Sequence, residues 1–267
     1  MHLTDAAVFD ALSRSFLVTA RAFQSPHIVA GEVPGLRYAA IGGSIAGFNR
    51  LMATELDERT ADADVAAALE ALDQFPVLSA WIPPHVRPAD LAERFASRGF
   101  VADDELVPAM AADLGALPQL DHLPGVTWRV AGPGADVGVV ADLMIAGFEM
   151  PPDLRPFLAE VMAGALGNGE VPARTVIAEL DGEPASTALT AVSDGVAVVY
   201  NVATVPAARG RGLGRLVTVA ALQEARALGA GAAVLESSHM GYGLYGRLGF
   251  QDVGRYRLLV RVREAAG

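Results

Sequence analysis

The stretch Val202–Leu216, "VATVPAARGRGLGRL", sets a β-branched run against a turn of alternating arginine and glycine, followed by a helix-like segment. A turn so short of side chains lets a ligand reach the main chain, and the start of a helix presents unpaired N–H groups and a partial positive charge. The stretch therefore reads as a seat for a pyrophosphate. Gly210, Gly212 and Gly214 would let phosphates approach the amides from Gly210 through Leu213 to Arg215, and Arg209, Arg211 and Arg215 would add charge-assisted hydrogen bonds. The turn lacks the Gly-Lys-Ser/Thr end of a P-loop and makes a poor dinucleotide fingerprint.

Working outward, "VVYNVATVP" precedes the turn as a strand, and Leu213, Leu216, Val217, Ala220 and Leu228 mark one apolar helical stripe after it. Pro184 to Ala208 carries a single charge, Asp194, and is long enough to span a membrane, but its β-branched runs flank the turn signal "SDG" and predict a buried hairpin. The second half reads strand, helix, helix, strand, hairpin, helix, then strand "AAVLESS", short helix "GYGLYGRLG" and a terminal strand "VGRYRLLVRV". The first half predicts a long opening helix, strands at "LRYAAIGG" and "FNRLMATEL", helix "ADADVAAALEALDQF", strand "PVLSAWIPP", helix "RPADLAERFASRG" and strand "ELVPAM". The aperiodic "LGALPQLDHLPG" between them suggests two domains, 1–118 and 124–267, each an α/β unit with a twisted mixed sheet flanked by helices. "RFASRGFVADDELVPAM" and "LYGRLGFQDVGRYRLLV" share a helix, Gly-Phe, strand order that sets Phe95 opposite Tyr245 and reads as a diverged duplication.

Composition narrows the chemistry. The 267 residues contain no cysteine and no lysine, which excludes thiolate metal sites, cysteinyl intermediates and Schiff bases. The formal charge of −11 divides as −9 over residues 1–125 and −2 over the rest, which disfavours nucleic acid as a partner for either half. The five histidines lack ligand spacing, so no metal is expected. "MHLTDAAVFD" has acids where a secretory signal needs bases, and with no membrane span foreseen the expectation is a cytoplasmic protein.

On two motifs the second half, about Val126 to Val262, resembles the GCN5-related N-acetyltransferase (GNAT) superfamily. "RGRGLG" matches that family's Arg/Gln-x-x-Gly-x-Gly/Ala loop at Arg209, Gly212 and Gly214, and "LYGRLGF" matches its Leu-Tyr-x-Lys-Leu-Gly-Phe segment. The resemblance implies acetyl-CoA as acyl donor, with backbone groups of Val202, Ala203 and Thr204 pairing with the pantetheine arm and the amides of residues 210–215 holding the pyrophosphate. It implies that Tyr245 protonates the departing thiolate, with Tyr245 as a merely packed aromatic beside Tyr242 the alternative. It also implies a backbone oxyanion site near Val202. Ser238 stands where many relatives carry Asn and could still donate one hydrogen bond to the pantetheine.

Val198 occupies the position of a glutamate base in some relatives, so another group must take that part. Strand alternation puts Glu236 on the face of Ser238, a solvated carboxylate being the alternative, while Glu149 in "GFEMPP" could contact substrate and His239 could relay a proton. In the first half "DERTADAD" stands for the glycine loop and Phe95 for the tyrosine, so that half is expected to fold without binding CoA or catalysing, giving wall, support or a homodimer surface. "AIGGSIAGFN" reads as a tight turn, and Trp81 of "WIPPHVRP" could line a substrate cleft. The resulting expectation is an N-acetyltransferase moving acetyl from acetyl-CoA directly to a small-molecule amine. The alternatives are a non-catalytic acyl-CoA sensing module and a transferase of longer acyl chains.

Overall fold

A computed structural model describes residues 3–22, 27–42, 45–167 and 171–263. Its chain order is α1 (Asp5–Ala22), β1 (Val29–Val33), β2 (Leu36–Ala40), β3 (Asn49–Ala53), α2 (Ala61–Ala71), β4 (Val77–Ile82), α3 (Leu91–Ala96) and β5 (Val101–Asp113). It continues with β6 (Val126–Val130), α4 (Ala135–Phe148), α5 (Arg155–Gly167), β7 (Ala173–Leu180), β8 (Glu183–Ser193), β9 (Val196–Thr204), α6 (Leu213–Ala227), β10 (Ala232–Glu236), α7 (His239–Arg247) and β11 (Gln251–Val262). No described helix is long and apolar enough to cross a membrane.

The chain forms two compact units, and they do not divide at the aperiodic segment near residue 120. One is built on Met110–Gln251 and the other on Thr4–Ala109 together with the described residues 252–263. The reason is strand pairing. β11, placed by the sequence with the second half, pairs antiparallel with β4 from Arg257↔Ile82 to Val262↔Val77, so it completes the first unit's sheet in the order β1-β2-β3-β4-β11. Its Tyr256 and Leu259 are buried there, Tyr256 edge-on to Phe9 and Trp81. In the second unit the sheet runs β10-β9-β8-β7-β6, and Met110 and Leu114, at the end of β5, join its core.

The stretch that imitates a membrane span is the β8–β9 hairpin, with Asp194 and Gly195 both at positive φ (51° and 74°) in the turn, as a tight hairpin requires. β8 is buried on both faces, and its hydroxyls are all spoken for: Ser186 donates to the Ala203 carbonyl, Thr187 to that of Val176 and Thr190 to that of Ala221. α6 covers one face of this sheet. Leu213, Leu216, Val217 and Ala220 pack on Val176, Ala178 and Ala188, while Val219, Leu222 and Ala225 join the cluster containing Tyr245, Leu248 and Phe250.

The two similar segments fold alike. Phe100 N–H donates to the Phe95 carbonyl at 3.3 Å and Phe250 N–H to that of Tyr245 at 3.1 Å. The paired rings meet edge-on in both, at 5.2 Å and 71° for Phe95–Phe100 and at 5.8 Å and 65° for Tyr245–Phe250. β1 was missed in the sequence; its half-exposed "VAGEV" carries no clear alternation. Gly43 and Ser44 of the turn read in "AIGGSIAGFN" lie outside the described residues, as does Phe23 at the end of the opening helical stretch.

Candidate active site

β9 is where regular pairing fails on both edges. Its parallel register with β10 runs only from Ala232↔Val196 to Val234↔Val198, so the two strands part beyond Val198. On the β8 side Leu189 faces Tyr200 and Thr187 faces Ala203, leaving Asn201 and Val202 opposite Ala188 alone. Two residues against one is a β-bulge, and Asn201 takes the left-handed conformation (φ 54°) that asparagine tolerates better than its β-branched neighbours. The bulge turns Val202 out of the ladder. The sequence reading passed over Asn201, although an asparagine inside "VVYNVATV" was a signal.

A cleft of about 790 Å³ opens at this split. Val202 and Thr204 form one wall, Gly210, Gly212, Leu213, Gly214 and Arg215 the next, and Ser238, Gly241, Leu244 and Tyr245 the third. The cleft thus brings together most residues assigned to it from sequence. Gly212 is the N-cap of α6 with φ 84°, and Gly210 has φ 76°; a Cβ on Gly210 would meet nothing within 4 Å, and on Gly212 only Leu123, at 3.5 Å. Open space above glycines at the start of a fifteen-residue helix fits an anion held by main-chain N–H groups.

The arginines differ from expectation. Arg209 donates from Nη2 to the Gly147 carbonyl (2.8 Å), from Nη1 to Glu149 Oε1 (2.9 Å) and from Nε to the Thr204 carbonyl (3.3 Å). It ties α4, β9 and the loop together through three oxygen acceptors and also lines the cleft. Arg215 pairs with Asp121, so the segment read as a linker forms part of the site's surroundings. Arg211 is exposed and does not line the cleft, whereas Arg247, which the sequence reading overlooked, does. Two of the three loop arginines are thus engaged with protein oxygens.

Tyr245 lies on α7, 8% exposed, and burial pushes its hydroxyl up to about 12, well above an ordinary phenol. Its ring is seated by what is missing beside it: a Cβ on Gly241 would stand 2.8 Å from Tyr245 Cε2. Ser238 caps α7, its Oγ accepting from Gly241 N–H at 3.2 Å, which leaves the hydroxyl proton free to donate.

Besides Arg211, three sequence assignments are not brought to the cleft. Glu236 ends β10 but is not among the cleft's lining residues, because the chain turns at buried Ser237 into the α7 cap and strand alternation no longer applies. Ala203 is buried against Gly147, where a glycine Cβ would come within 2.7 Å of Ala203 Cβ. His239 is exposed at the start of α7 and does not line the cleft. Trp81 is also not a cleft residue: it is 5% exposed in the first unit, donating to Ser79 Oγ at 2.9 Å under the Arg50 guanidinium. Glu149, by contrast, does line the cleft. Among the described residues no group of His, Asp and Glu is placed to hold a metal ion.

Residues 146–250 match the Acetyltransferase (GNAT) family. No curated protein matches the chain. Among solved structures, a GCN5-related N-acetyltransferase from Kribbella flavida superposes with a TM-score of 0.67 at 23% identity, over 93% of this chain and 95% of that one. A tandem GNAT protein from the clavulanic acid biosynthesis pathway gives 0.64 at 17% identity, covering 95% and 89%. A GCN5-related N-acetyltransferase from Sphaerobacter thermophilus gives 0.58 at 17%, covering 96% and 93%. The described cleft falls inside the segment that matches the GNAT family, 146–250, and the chain as a whole takes the fold seen in tandem GNAT proteins.

Proposed function

We propose that the unit built on Met110–Gln251 transfers the acetyl group of acetyl-CoA directly to a primary amine. The observation that carries this reading is the parting of β9 from β10 beyond Val198, which leads into the glycine-opened start of α6 with Tyr245 in the same cleft. An extended pantetheine arm could add to β9 at Val202 and Thr204 as a strand adds to an open edge. The Ala203 and Thr204 carbonyls already accept from Ser186 and Arg209, so the contribution falls mainly on Val202 and on N–H groups. The amides from Gly210 to Arg215 would face the pyrophosphate, and the hydroxyl of Ser238 the arm. Bound acetyl-CoA would supply a thioester whose C–S bond breaks as the amine nitrogen forms the new C–N bond.

Tyr245 keeps its proton at every pH near neutral. With the phenol near 12 and a free thiol near 8.5, it acts first as a hydrogen-bond donor to developing thiolate charge; full proton transfer requires the same burial to raise the thiol as well. Val202, released from the β8 ladder, would offer its N–H to the developing oxyanion. Glu149 is the one carboxylate among the residues lining the cleft, and it is held by Arg209. The attacking amine then gives its proton to solvent, and kcat/KM should rise with pH without levelling near 7.

The lack of a base other than the Arg209-held Glu149 among the residues lining the cleft also favours the other reading, an acyl-CoA binding module without turnover. Thiol release from acetyl-CoA with a panel of amines separates them: release that falls about 10²–10³-fold in Tyr245→Phe supports catalysis. CoA binding with no release above hydrolysis establishes the module.

The first unit is proposed to be silent. The start of α2 is closed by its own turn, Thr60 and Ala61 N–H donating to the Asp57 carbonyl and Arg59 N–H to its carboxylate, and Asp62 in its first turn is taken up by Arg94 and Arg98. Phe95, 1% exposed, has no hydroxyl to offer. Calorimetry should give one acetyl-CoA per chain. The protein is proposed to be cytoplasmic, and the acceptor to be a small molecule rather than nucleic acid.

A further inference from the structure

The C-terminal end of α4 and the turn that follows, Gly147–Met150, are held more firmly than a surface loop needs. Gly147 sits so close to β9 that a Cβ would meet Ala203 Cβ at 2.7 Å and Thr204 N at 3.0 Å. Glu149 caps α4 in the left-handed conformation, φ 55°, which costs a non-glycine residue energy and persists only where its surroundings hold it. Met150 N–H donates back to the Ile145 carbonyl at 2.9 Å, and Arg209 grips both the Gly147 carbonyl and the Glu149 carboxylate.

The effect of these restraints is to present Phe148 and Glu149 to the cleft. Phe148 is 43% exposed and lines it, as does Met240, 72% exposed at the start of α7. Large apolar side chains exposed along a cleft are favoured sites for a ligand to cover. Beside them, Glu149 offers one carboxylate oxygen to Arg209 and keeps most of its side chain, 67%, in the open. Three arginines also line the cleft, of which Arg209 is engaged by Glu149 and Arg215 by Asp121, and the apolar groups together with the open side of Glu149 complement one kind of small molecule.

We propose that the acceptor is a primary amine carried on an apolar body, aromatic or branched-alkyl, with the body against Phe148 and Met240 and the ammonium drawn to Glu149. The inference rests on the acetyl-transfer reading and names its substrate class. Polyamines and hydroxylated amines lack the apolar part; amino acids add a carboxylate that Glu149 repels. Arg209 serves here as a positioning residue, fixing the carboxylate relative to the thioester end of the cleft.

The test is a set of matched amines, 2-phenylethylamine, isoamylamine, ethanolamine, putrescine and phenylalanine, assayed for thiol release at fixed acetyl-CoA. The first two should have kcat/KM at least tenfold above the others. Phe148→Ser should raise KM for 2-phenylethylamine about tenfold and erase the preference, while KM for acetyl-CoA stays within twofold. Glu149→Gln, which can still accept from Arg209, should raise KM for 2-phenylethylamine and isoamylamine by about 10- to 100-fold, the worth of a charged contact, and raise that for phenylalanine less. A preference for the polar amines overturns the proposal, as does an unchanged preference in Phe148→Ser or a change confined to the KM of acetyl-CoA. If no amine is acetylated, the catalytic reading fails separately, and thermal shifts of the CoA-loaded protein with the same amines still decide whether apolar amines bind and whether Phe148→Ser removes the shift.

Discussion

At Tyr245 the residue and its setting make separable predictions. Gly241 lies one helical turn before it, and a methyl group there would push the ring by clashing at 2.8 Å with Cε2. Gly241→Ala should therefore lower kcat by roughly 10²-fold, the scale expected for an ångström of misplacement, with the Kd of CoA moved much less. Titration gives the second prediction. The folded protein holds the Tyr245 proton to about 12, whereas an unfolded chain releases it near 10, so between those values the unfolded state binds fewer protons and stability falls as pH rises. By about pH 11 this amounts to roughly 1.4 kcal/mol. Urea unfolding at pH 9 and 11 should show that loss in the native protein and its absence in Tyr245→Phe. Tyr245 and the glycines were legible in the sequence because their chemistry is set by residues a few positions away. Arg209 was not: its acceptors at Gly147 and Glu149 lie about sixty residues back, and only the fold shows that its charge is already used.

At the level of elements, the site arises where β9 stops obeying sheet rules and α6 begins without a side-chain cap. The alternation that identified the β8–β9 hairpin could not reveal its bulge, since one inserted residue is invisible to a period of two until the partner strand is known. The same limit misplaced Glu236, whose assignment assumed that strand geometry continues through Ser237. For the helix start, Gly214 allows fold and binding to be pulled apart. Unlike Gly210 and Gly212 it has no positive φ, and a Cβ there would make ordinary contacts, 3.5 Å to Leu244 and 3.6 Å to Thr204 Oγ1. Gly214→Ala should thus leave the protein equally stable or more so, by up to about 1 kcal/mol from helix propensity. The added methyl shields amides that would otherwise face a phosphate, so the Kd for CoA should rise at least tenfold. Thermal melting and calorimetry on this one variant measure the two effects independently; loss of stability together with unchanged binding would remove the anion seat from α6.

For the whole molecule, the repeated helix, Gly-Phe, strand segments were legible as a duplication, and their matching bonds and ring pairs bear out the likeness. Where the units divide was not legible, because composition marks flexible connections while membership is decided by strand pairing far along the chain. The segment near residue 120 has the prolines and glycines of a boundary, yet Asp121 and Leu123 sit beside the loop at the start of α6, and the last strand returns to β4. Cutting the gene by sequence, into 1–118 and 124–267, would leave β4 without the partner that pairs along its whole length and leave Tyr256 and Leu259, 0% and 1% exposed, without the core that covers them. Losing two large buried side chains costs on the order of 5 kcal/mol or more, comparable with the entire stability of a domain. Each piece expressed alone should therefore aggregate or melt without a cooperative transition. Adding a copy of residues 252–263 behind the first fragment through a flexible linker should restore a cooperative transition to it, since the strand that closes its sheet is then supplied in the same chain. A first fragment that melts sharply without that strand would mean that β4 tolerates an open edge and that the pairing with β11 contributes little to the unit.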